Sequence, residues 1–392
     1  MAKLLFPLRL VTVLLGLLSR TVFGVALDDI FIVQSGSTHG GCDAHYDQSA
    51  KTGTLDQWLD EINFALSTAI DGIDEYNTNP RVRKALDIWF GIHNGGSLRA
   101  GSDDTLAQID WVGDRLKDVQ DFLSFADRSD APGQPRFPLH GNRYLFCGSD
   151  FLTLKATNTP AQDWQAQNIL DEHGNVVNIA GVPSYAEALA ADPNAASWWS
   201  GDRSPINGYY FAEIAGSYCD IEGNLGLTAV IRELEADITG TPTVRGDIES
   251  VIICPFNFDN SNPKPVNYSL ASGNIVQGTN LKDVVPKSAT FLHEAFHVVF
   301  GVVHNDGDTD DHGFLEGDEF YDMIELIKQA KNNPQTKAQR NPENYVYFVT
   351  HMFYLLGTTD DDIRANWDFA PMGRGRNRIV GATDQLRNAE DP

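Results

Sequence analysis

The sequence predicts an α+β fold, a mostly helical unit with a few short strands and long loops tied by disulfides. Apolar residues recur at helical spacing, as in Leu55 to Tyr76, whereas β-branched runs such as Ser250 to Pro255 are short. The four cysteines suit two disulfides in an oxidising compartment, although the sequence leaves three pairings open. The 392 residues fit one large domain or two ordinary ones.

The first residues have the layout of a secretory signal peptide. Two basic residues lie at or before the start of the apolar run Leu10 to Leu18, and small residues follow it. We therefore expect residues 1–26 to be a signal peptide, cleaved after Gly24 or Ala26, and the protein to be secreted and extracellular. The apolar run is too short to cross a membrane, and no second run of spanning length follows it.

The charge of the chain limits its partners. The formal net charge is −25, and residues 1–26 contain three basic residues and no acidic one, so their removal would change it to −28. A strongly acidic surface disfavours binding to nucleic acid and to anionic membranes. We therefore expect neither as a partner.

Helical spacing and proline positions predict the order of elements in the first two thirds of the chain. The predicted helices cover 55–76, 80–92, 104–125 and 225–236, and the predicted strands cover 29–33, 144–147 and 250–255. In the last third we predict helices over 288–301, 318–333 and 341–356, and an irregular tail beyond Thr358.

The most informative stretch is Phe291 to Phe300, which contains His293-Glu294-x-x-His297. Residues four apart lie on one face of a helix, so the two imidazoles can bind one zinc ion. Glu294 would then lie near the open side of the metal, where it can accept a proton from water. Apolar residues surround the motif almost completely, which indicates a buried helix.

A hydrolytic zinc site takes three protein ligands and leaves one position for water, so a third ligand must come from outside this helix. His304 is one candidate, although it and Gly301 each fall one residue late for H-E-x-x-H-x-x-G-x-x-H. Asp318 is another, with a helix N-cap as its ordinary alternative role. The remaining candidates are glutamates at plausible distances: Glu316, Glu319, Glu325 and Glu343. The residues themselves leave this choice open.

The motifs of the last third resemble those of a known family. H-E-x-x-H is followed by Asp318-x-x-Tyr321 and then by Asn341 to Phe348, a pattern similar to that of the aspzincin metallopeptidases. This is the deuterolysin and peptidyl-lysine endopeptidase group, mostly secreted fungal enzymes. Weaker likeness extends to Ile252 to Pro255 and to the region after Cys42. The chain departs from the family pattern G-T-x-x-D-x-x-Y-G, because the Gly-Thr pair is missing and Asp322 replaces the last glycine.

The resemblance implies a zincin-like catalytic unit and a role for each site residue. His293, His297 and Asp318 would bind Zn²⁺, Glu294 would be the general base, and Tyr321 would stabilise the oxyanion. It further implies a metallopeptidase-like domain over residues 27–365, with the zinc site within 245–357. The polar composition of residues 366–392 predicts an irregular tail there.

We therefore expect a monomeric, secreted zinc metalloendopeptidase that acts on a protein or peptide substrate. The alternative is a non-catalytic secreted zinc-binding protein or antigen on the same fold. The acidic loop Asn305 to Gly317 and the missing Gly-Thr pair favour this alternative.

Overall fold

The computed structural model describes residues 25–36, 39–93, 103–128, 131–135, 137, 143–268, 271, 273–301, 319–357, 366–372 and 379–386. Residues 1–24 of the expected signal peptide lie outside these ranges, as does the acidic loop before Glu319. Within the described ranges, every helix is too short or too polar to span a lipid bilayer.

Strands and helices alternate irregularly along the chain. The strands are β1 Ile32–Val33, β2 Tyr46–Asp47, β3 Thr52–Gly53, β4 Asp127–Arg128, β5 Ala131–Pro135, β6 Arg143–Phe146, β7 Thr153–Lys155, β8 Ala196–Trp199, β9 Tyr209–Ala212, β10 Gly226–Ala236, β11 Pro242–Ile253, β12 Asn366–Met372 and β13 Ile379–Leu386. The α-helices are α1 Leu27–Ile30, α2 Thr54–Asp74, α3 Pro80–Phe90, α4 Asp103–Leu123, α5 Pro183–Ala191, α6 Pro255–Phe258, α7 Ala289–Phe300, α8 Met323–Asn332 and α9 Pro342–Leu356. Short 3-10 helices cover Ile179–Gly181, Ala215–Asp220, Leu281–Val284 and Ala338–Arg340.

A seven-stranded mixed sheet forms the centre of the fold, in the order β1-β6-β11-β10-β9-β8-β7. Strands β1, β6 and β11 are parallel, and β10, β9, β8 and β7 continue from β11 as antiparallel neighbours. Alternate residues face opposite sides, as a strand requires. Val251 and Ile253 of β11 join the core beneath the helices, whereas Ile252 joins a second core on the other face.

The helical side of the sheet positions the H-E-x-x-H helix. Helix α7 lies against β10 and β11 on one side and against α9 on the other, where Phe296 contacts Tyr345 at a ring distance of 4.8 Å. Phe291, Leu292 and Phe296 are fully buried in the main core. Apolar contacts on all sides therefore fix the orientation of α7, as the apolar surroundings of the motif predict.

Two disulfides join segments that end at the same edge of the sheet. Cys42 pairs with Cys147, which follows β6, and Cys219 pairs with Cys254, which follows β11. The two closed loops span 105 and 35 residues, so each disulfide contributes about 4 to 5 kcal/mol in the chain-entropy account. This result confirms two disulfides and resolves the pairing that the sequence left open.

The α+β class is confirmed, but two expectations about its elements are wrong. The strands are not all short, because β10 and β11 have 11 and 12 residues. Residues 225–236, predicted as a helix, form β10 instead. Thr228, Val230 and Ile231 are β-branched and favour a strand, and pairing with β11 outweighs the weak helical spacing.

The tail is also more regular than predicted. Residues 366–372 and 379–386 pair as the antiparallel strands β12 and β13. Trp367, Phe369 and Val380 are buried, and Phe369 lies against His351 of α9 at a ring distance of 5.5 Å. The prediction of an irregular tail over 366–392 is therefore wrong for these segments, because alternating apolar residues give them a face to bury.

A buried carboxylate on α2 contacts the start of α7. Glu61 accepts hydrogen bonds from the Ser288 hydroxyl at 2.5 Å and from the Tyr268 amide at 2.6 Å. Burial raises the pKa of Glu61 to about 7, against the opposing effect of these two hydrogen bonds. The folded protein therefore keeps a proton that the unfolded chain releases near pH 4.5.

We expect this proton to make stability depend on pH. Between pH 4.5 and 7 the folded state binds more protons at Glu61, so the free energy of unfolding falls as pH rises, by up to about 3 kcal/mol. Glu61→Gln should remove this contribution. Urea unfolding of the wild type and of Glu61→Gln at pH 5 and pH 8 measures this contribution. Asp74→Asn, on the same helix, is the control. A pH dependence that Glu61→Gln leaves unchanged would contradict the prediction.

Candidate metal centre

Helix α7 carries the motif in a buried position. His293, Glu294 and His297 are 6%, 4% and 8% exposed. The helix ends at Gly301, whose φ of +66° is the left-handed conformation that favours glycine. Three buried ionisable side chains on one helix are costly unless they have partners, so their contacts define the site.

The two imidazoles converge on one carboxylate. The rings of His293 and His297 lie 5.2 Å apart, as expected for residues one helical turn apart. The Nε2 atom of His297 lies 2.7 Å from Oε1 of Glu319, and the Nε2 atom of His293 lies 3.5 Å from Oε2. The ligand atoms of all three residues lie within 4.8 Å of one another. Glu319 was among the candidates for the third ligand.

The other candidates fall into three groups. Asp318, which the resemblance implies as the ligand, lies outside the described residues, as do His304 and Glu316. Glu325 is on α8, where its carboxylate accepts hydrogen bonds from Lys328 and Gln329. The carboxylate of Glu343 contacts Nδ1 of His293, the ring nitrogen opposite the one that faces Glu319. Of the described candidates, only Glu319 reaches both Nε2 atoms, and the role of Asp318 stays a prediction.

The helix after the candidate ligands begins later than predicted. Helix α8 starts at Met323, and Asp322 is its N-cap, accepting hydrogen bonds from the amides of Ile324 and Glu325. Glu319 therefore lies four residues before the first residue of the helix, in irregular chain. This irregular segment allows its carboxylate to turn towards α7.

The donor set fits a divalent metal ion. Two imidazole nitrogens and a carboxylate are ordinary zinc ligands at about 2.0 to 2.2 Å, and two such ligands around a tetrahedral ion lie about 3.4 Å apart. The Glu319 to His293 distance of 3.5 Å matches this spacing, whereas the Glu319 to His297 distance of 2.7 Å is shorter and would have to lengthen around an ion. In addition, Nδ1 of His297 is buried without a hydrogen-bond partner among the described residues. The structure thus shows a group that can bind a metal, without identifying which metal.

The electrostatics of the site favour a cation. Burial opposes the charged form of His293, but Glu319 and Glu343 outweigh it and raise the pKa of His293 well above its usual value. Burial also favours the neutral form of Glu319, yet His293 and His297 outweigh it and hold the pKa of Glu319 far below its usual range. The carboxylates therefore stabilise positive charge at this place, and a metal ion would supply it to the whole cluster.

Glu343 positions His293 from the far side. Its Oε2 atom lies 3.1 Å from Nδ1 of His293, opposite the nitrogen that faces Glu319. Helix α9 begins at Pro342, directly after Asn341, so Glu343 is fixed in the first turn. A carboxylate that accepts the second ring N–H of a metal-binding histidine fixes its tautomer and ring orientation.

We expect Glu343→Gln to weaken metal binding about 10- to 100-fold, the usual effect of losing such an outer carboxylate. The glutamine keeps the size of the side chain but lacks the charge that orients His293. Competition with a chromophoric chelator measures the metal affinity, and Glu325→Gln on α8 is a matched control. Wild-type affinity in Glu343→Gln would show that this contact has no role in metal binding.

Glu294 lies on the sheet side of α7. Its Oε2 atom accepts a hydrogen bond of 2.8 Å from the hydroxyl of Thr228 on β10. Burial raises the pKa of Glu294, although the two histidines oppose the shift. A Cβ at Gly226 would lie 2.7 Å from Cγ2 of Thr290 and 2.8 Å from Oε1 of Glu294, so a larger residue there would displace these side chains.

Two tyrosines lie beside the donor set. The ring of Tyr321 stacks on the ring of His293 at 5.6 Å, and its hydroxyl donates a hydrogen bond to Glu319. The side chain is 60% exposed, so one face of the site opens to solvent there. Burial raises the pKa of Tyr218, and the nearby charges of Glu294 and Glu319 add to the effect.

No family model matches the chain, and no curated protein or solved structure matches it either. The resemblance drawn from the motifs therefore stays a prediction.

Sequence reasoning missed Thr228, Gly226 and Tyr218. All three belong to a segment that the sequence places about 70 residues before the motif, and part of it was predicted as a helix. The position of Tyr218 beside Cys219 is a weak signal, since a disulfide fixes its neighbours. Nothing in the spacing of Thr228 or Gly226 indicates contact with Glu294.

Proposed function

We propose that the protein is a secreted zinc-dependent metalloendopeptidase in which Glu294 is the general base. The observation that carries this proposal is the convergence of His293, His297 and Glu319 in one buried cluster, with Glu294 on the same helix. Two disulfides support an oxidising compartment for the protein. The signal-peptide layout of the first residues is the second argument for secretion.

The chemistry of the donor set supports zinc. Two nitrogens and one carboxylate form a three-ligand set that leaves a position for water, as in hydrolytic zinc sites. When bound there, zinc supplies Lewis acidity to a carbonyl group and lowers the pKa of water towards neutrality. Glu319 would be the third ligand in place of the Asp318 that the resemblance implies.

Glu294 is suited to proton transfer. Its carboxylate lies next to the ligand His293 on the same helix and is held by Thr228. Burial raises its pKa, which makes the carboxylate a stronger base towards water than an exposed glutamate. Glu294 would accept a proton from the attacking water and give it to the amine that leaves the cleaved peptide bond.

We assign Tyr321 the role of hydrogen-bond donor to the carbonyl oxygen of the substrate. Its hydroxyl lies at the exposed side of the donor set, where it donates to Glu319. A substrate oxygen that accepts this hydrogen bond instead would gain a donor as negative charge develops on it. Tyr218 approaches the same carboxylates from the 3-10 helix Ala215–Asp220 and would confine the substrate on that side.

Metal removal tests the proposal. We expect the purified mature protein to contain about one zinc per chain and to hydrolyse casein. Dialysis against 1,10-phenanthroline should abolish hydrolysis, and one equivalent of zinc should restore it, because Glu294 alone cannot activate water sufficiently. Elemental analysis measures the zinc content, and release of labelled peptides measures the rate of casein hydrolysis. Magnesium is the control metal, since it prefers oxygen ligands in octahedral geometry.

The same experiment distinguishes a metalloendopeptidase from a non-catalytic zinc-binding protein. Zinc bound at one equivalent without hydrolysis of any protein over a broad pH range would contradict the peptidase and favour a non-catalytic zinc-binding protein. Hydrolysis that continues after complete metal removal would contradict both.

A further inference from the structure

A cavity unrelated to the metal donors opens beside the start of α7. Its volume is about 540 Å³, and it lies between α2, the segment around Val266 and the end of α9. Ser288, which donates to Glu61 in the cavity wall, precedes His293 by five residues, or roughly 7.5 Å along a helix axis. The cavity is therefore close to the metal centre but distinct from it.

Carboxylates supply the charge of this cavity. Glu61 and Asp60 both line it, and none of its described lining residues is a lysine or an arginine. Glu61 accepts hydrogen bonds from the Ser288 hydroxyl and the Tyr268 amide but forms no ion pair within the described part of the chain. Because burial raises the pKa of Glu61 to about 7, its charge is costly, and a cation nearby would stabilise it.

Three aromatic residues, Trp58, Phe64 and Phe353, also line the cavity, together with Thr54, Gln57, Val266 and Asn267. Trp58 is 3% exposed and held by stacking on Phe258 at 5.0 Å, while Phe353 is held by stacking on Tyr268 at 4.5 Å. Phe64 is more exposed and contacts Phe353 edge-on at 5.9 Å. The parts of these rings that line the cavity give an alkyl chain an apolar contact.

We propose that this cavity binds a small organic cation, an ammonium or guanidinium group on an apolar stem. The charged group would lie at Glu61 and Asp60, and the stem would lie against Trp58, Phe64 and Phe353. A pocket of a few hundred Å³ that combines apolar side chains with polar groups is typical of small-ligand sites. This inference does not depend on metal binding or on peptidase activity.

Calorimetric titration of the mature protein tests it. The probe is n-pentylammonium, and 1-pentanol is the neutral probe of the same stem. We expect the ammonium to bind at least about tenfold more tightly, because only its charge is attracted by the two carboxylates. Nα-acetyl-lysine methylamide presents the same group on a peptide unit, so comparison with n-pentylammonium separates a free amine from a basic side chain as the natural source.

Variants locate the binding. Glu61→Gln and Asp60→Asn should each weaken n-pentylammonium binding about five- to tenfold, whereas Asp74→Asn, the same charge change near the end of α2, should not. Phe64→Leu, at a partly exposed position, keeps the test valid if Glu61→Gln does not fold, and it should weaken binding of both probes. Equal affinity for the ammonium and the alcohol, no binding of either, or wild-type affinity in both carboxylate variants would overturn the proposal.

Discussion

Glu294→Gln is expected to reduce peptide hydrolysis by about 10²- to 10⁴-fold while zinc binding stays at the wild-type level. Glutamine has nearly the same shape as glutamate, and its carbonyl oxygen can still accept the hydrogen bond from Thr228. It cannot accept a proton from water, so only the base is lost. Since Glu294 is not one of the three converging donors, the metal should remain.

The measurement is kcat/KM on a fluorogenic peptide, with metal content determined on the same samples. Glu75→Gln, an exposed change at the end of α2, is the matched control and should keep full activity. Two results would contradict the assignment: wild-type hydrolysis by Glu294→Gln, or loss of the metal together with the activity. The second result would place Glu294 among the ligands.

Glu319→Gln should weaken zinc binding by more than about 100-fold, beyond the usual effect of an outer carboxylate. The variant removes the negative charge that lies 2.7 Å from His297 and 3.5 Å from His293. An amide is a poor zinc ligand compared with a carboxylate. Hydrolysis should fall with the metal content, and excess zinc should restore part of it.

Asp318→Asn is the paired variant for this prediction. If Glu319 is the third ligand, Asp318→Asn should keep its zinc affinity within a few-fold of wild type. The opposite result is that Asp318→Asn loses zinc and Glu319→Gln retains it. That result would contradict the assignment of Glu319 and favour Asp318, the ligand that the aspzincin resemblance implies. Chelator competition at fixed pH measures both.

The motif helix could be predicted closely because its information is local. Helical spacing, four-residue separation of His293 and His297, and an apolar surround all lie within Phe291 to Phe300, and the structure places a buried helix there. The third donor could not be chosen in the same way. Asp318 and Glu319 are adjacent, and which of them reaches α7 depends on the path of the chain before α8 rather than on any spacing.

The sheet was predicted less well, also for a physical reason. Strands β10 and β11 are stabilised by pairing with each other and with β6 and β9, contacts that single segments do not reveal. The apolar residues of segment 225–236 fit both the helical period of about 3.6 residues and the strand period of two. Pairing with β11 therefore determines that the segment is a strand. Strands β12 and β13 were missed for the same reason, because Trp367 and Phe369 are buried against elements distant in the chain.

The disulfide between Cys219 and Cys254 has a practical consequence for anyone producing the protein. It ties the 3-10 helix that bears Tyr218 to the end of β11, which pairs with Gly226 and Thr228 of β10, the neighbours of Glu294. Bacterial cytoplasm keeps thiols reduced. Protein made there would keep the H-E-x-x-H motif, but the 3-10 helix that bears Tyr218 would no longer be tied to β11. Expression in the periplasm or through the endoplasmic reticulum is therefore the appropriate source of the protein.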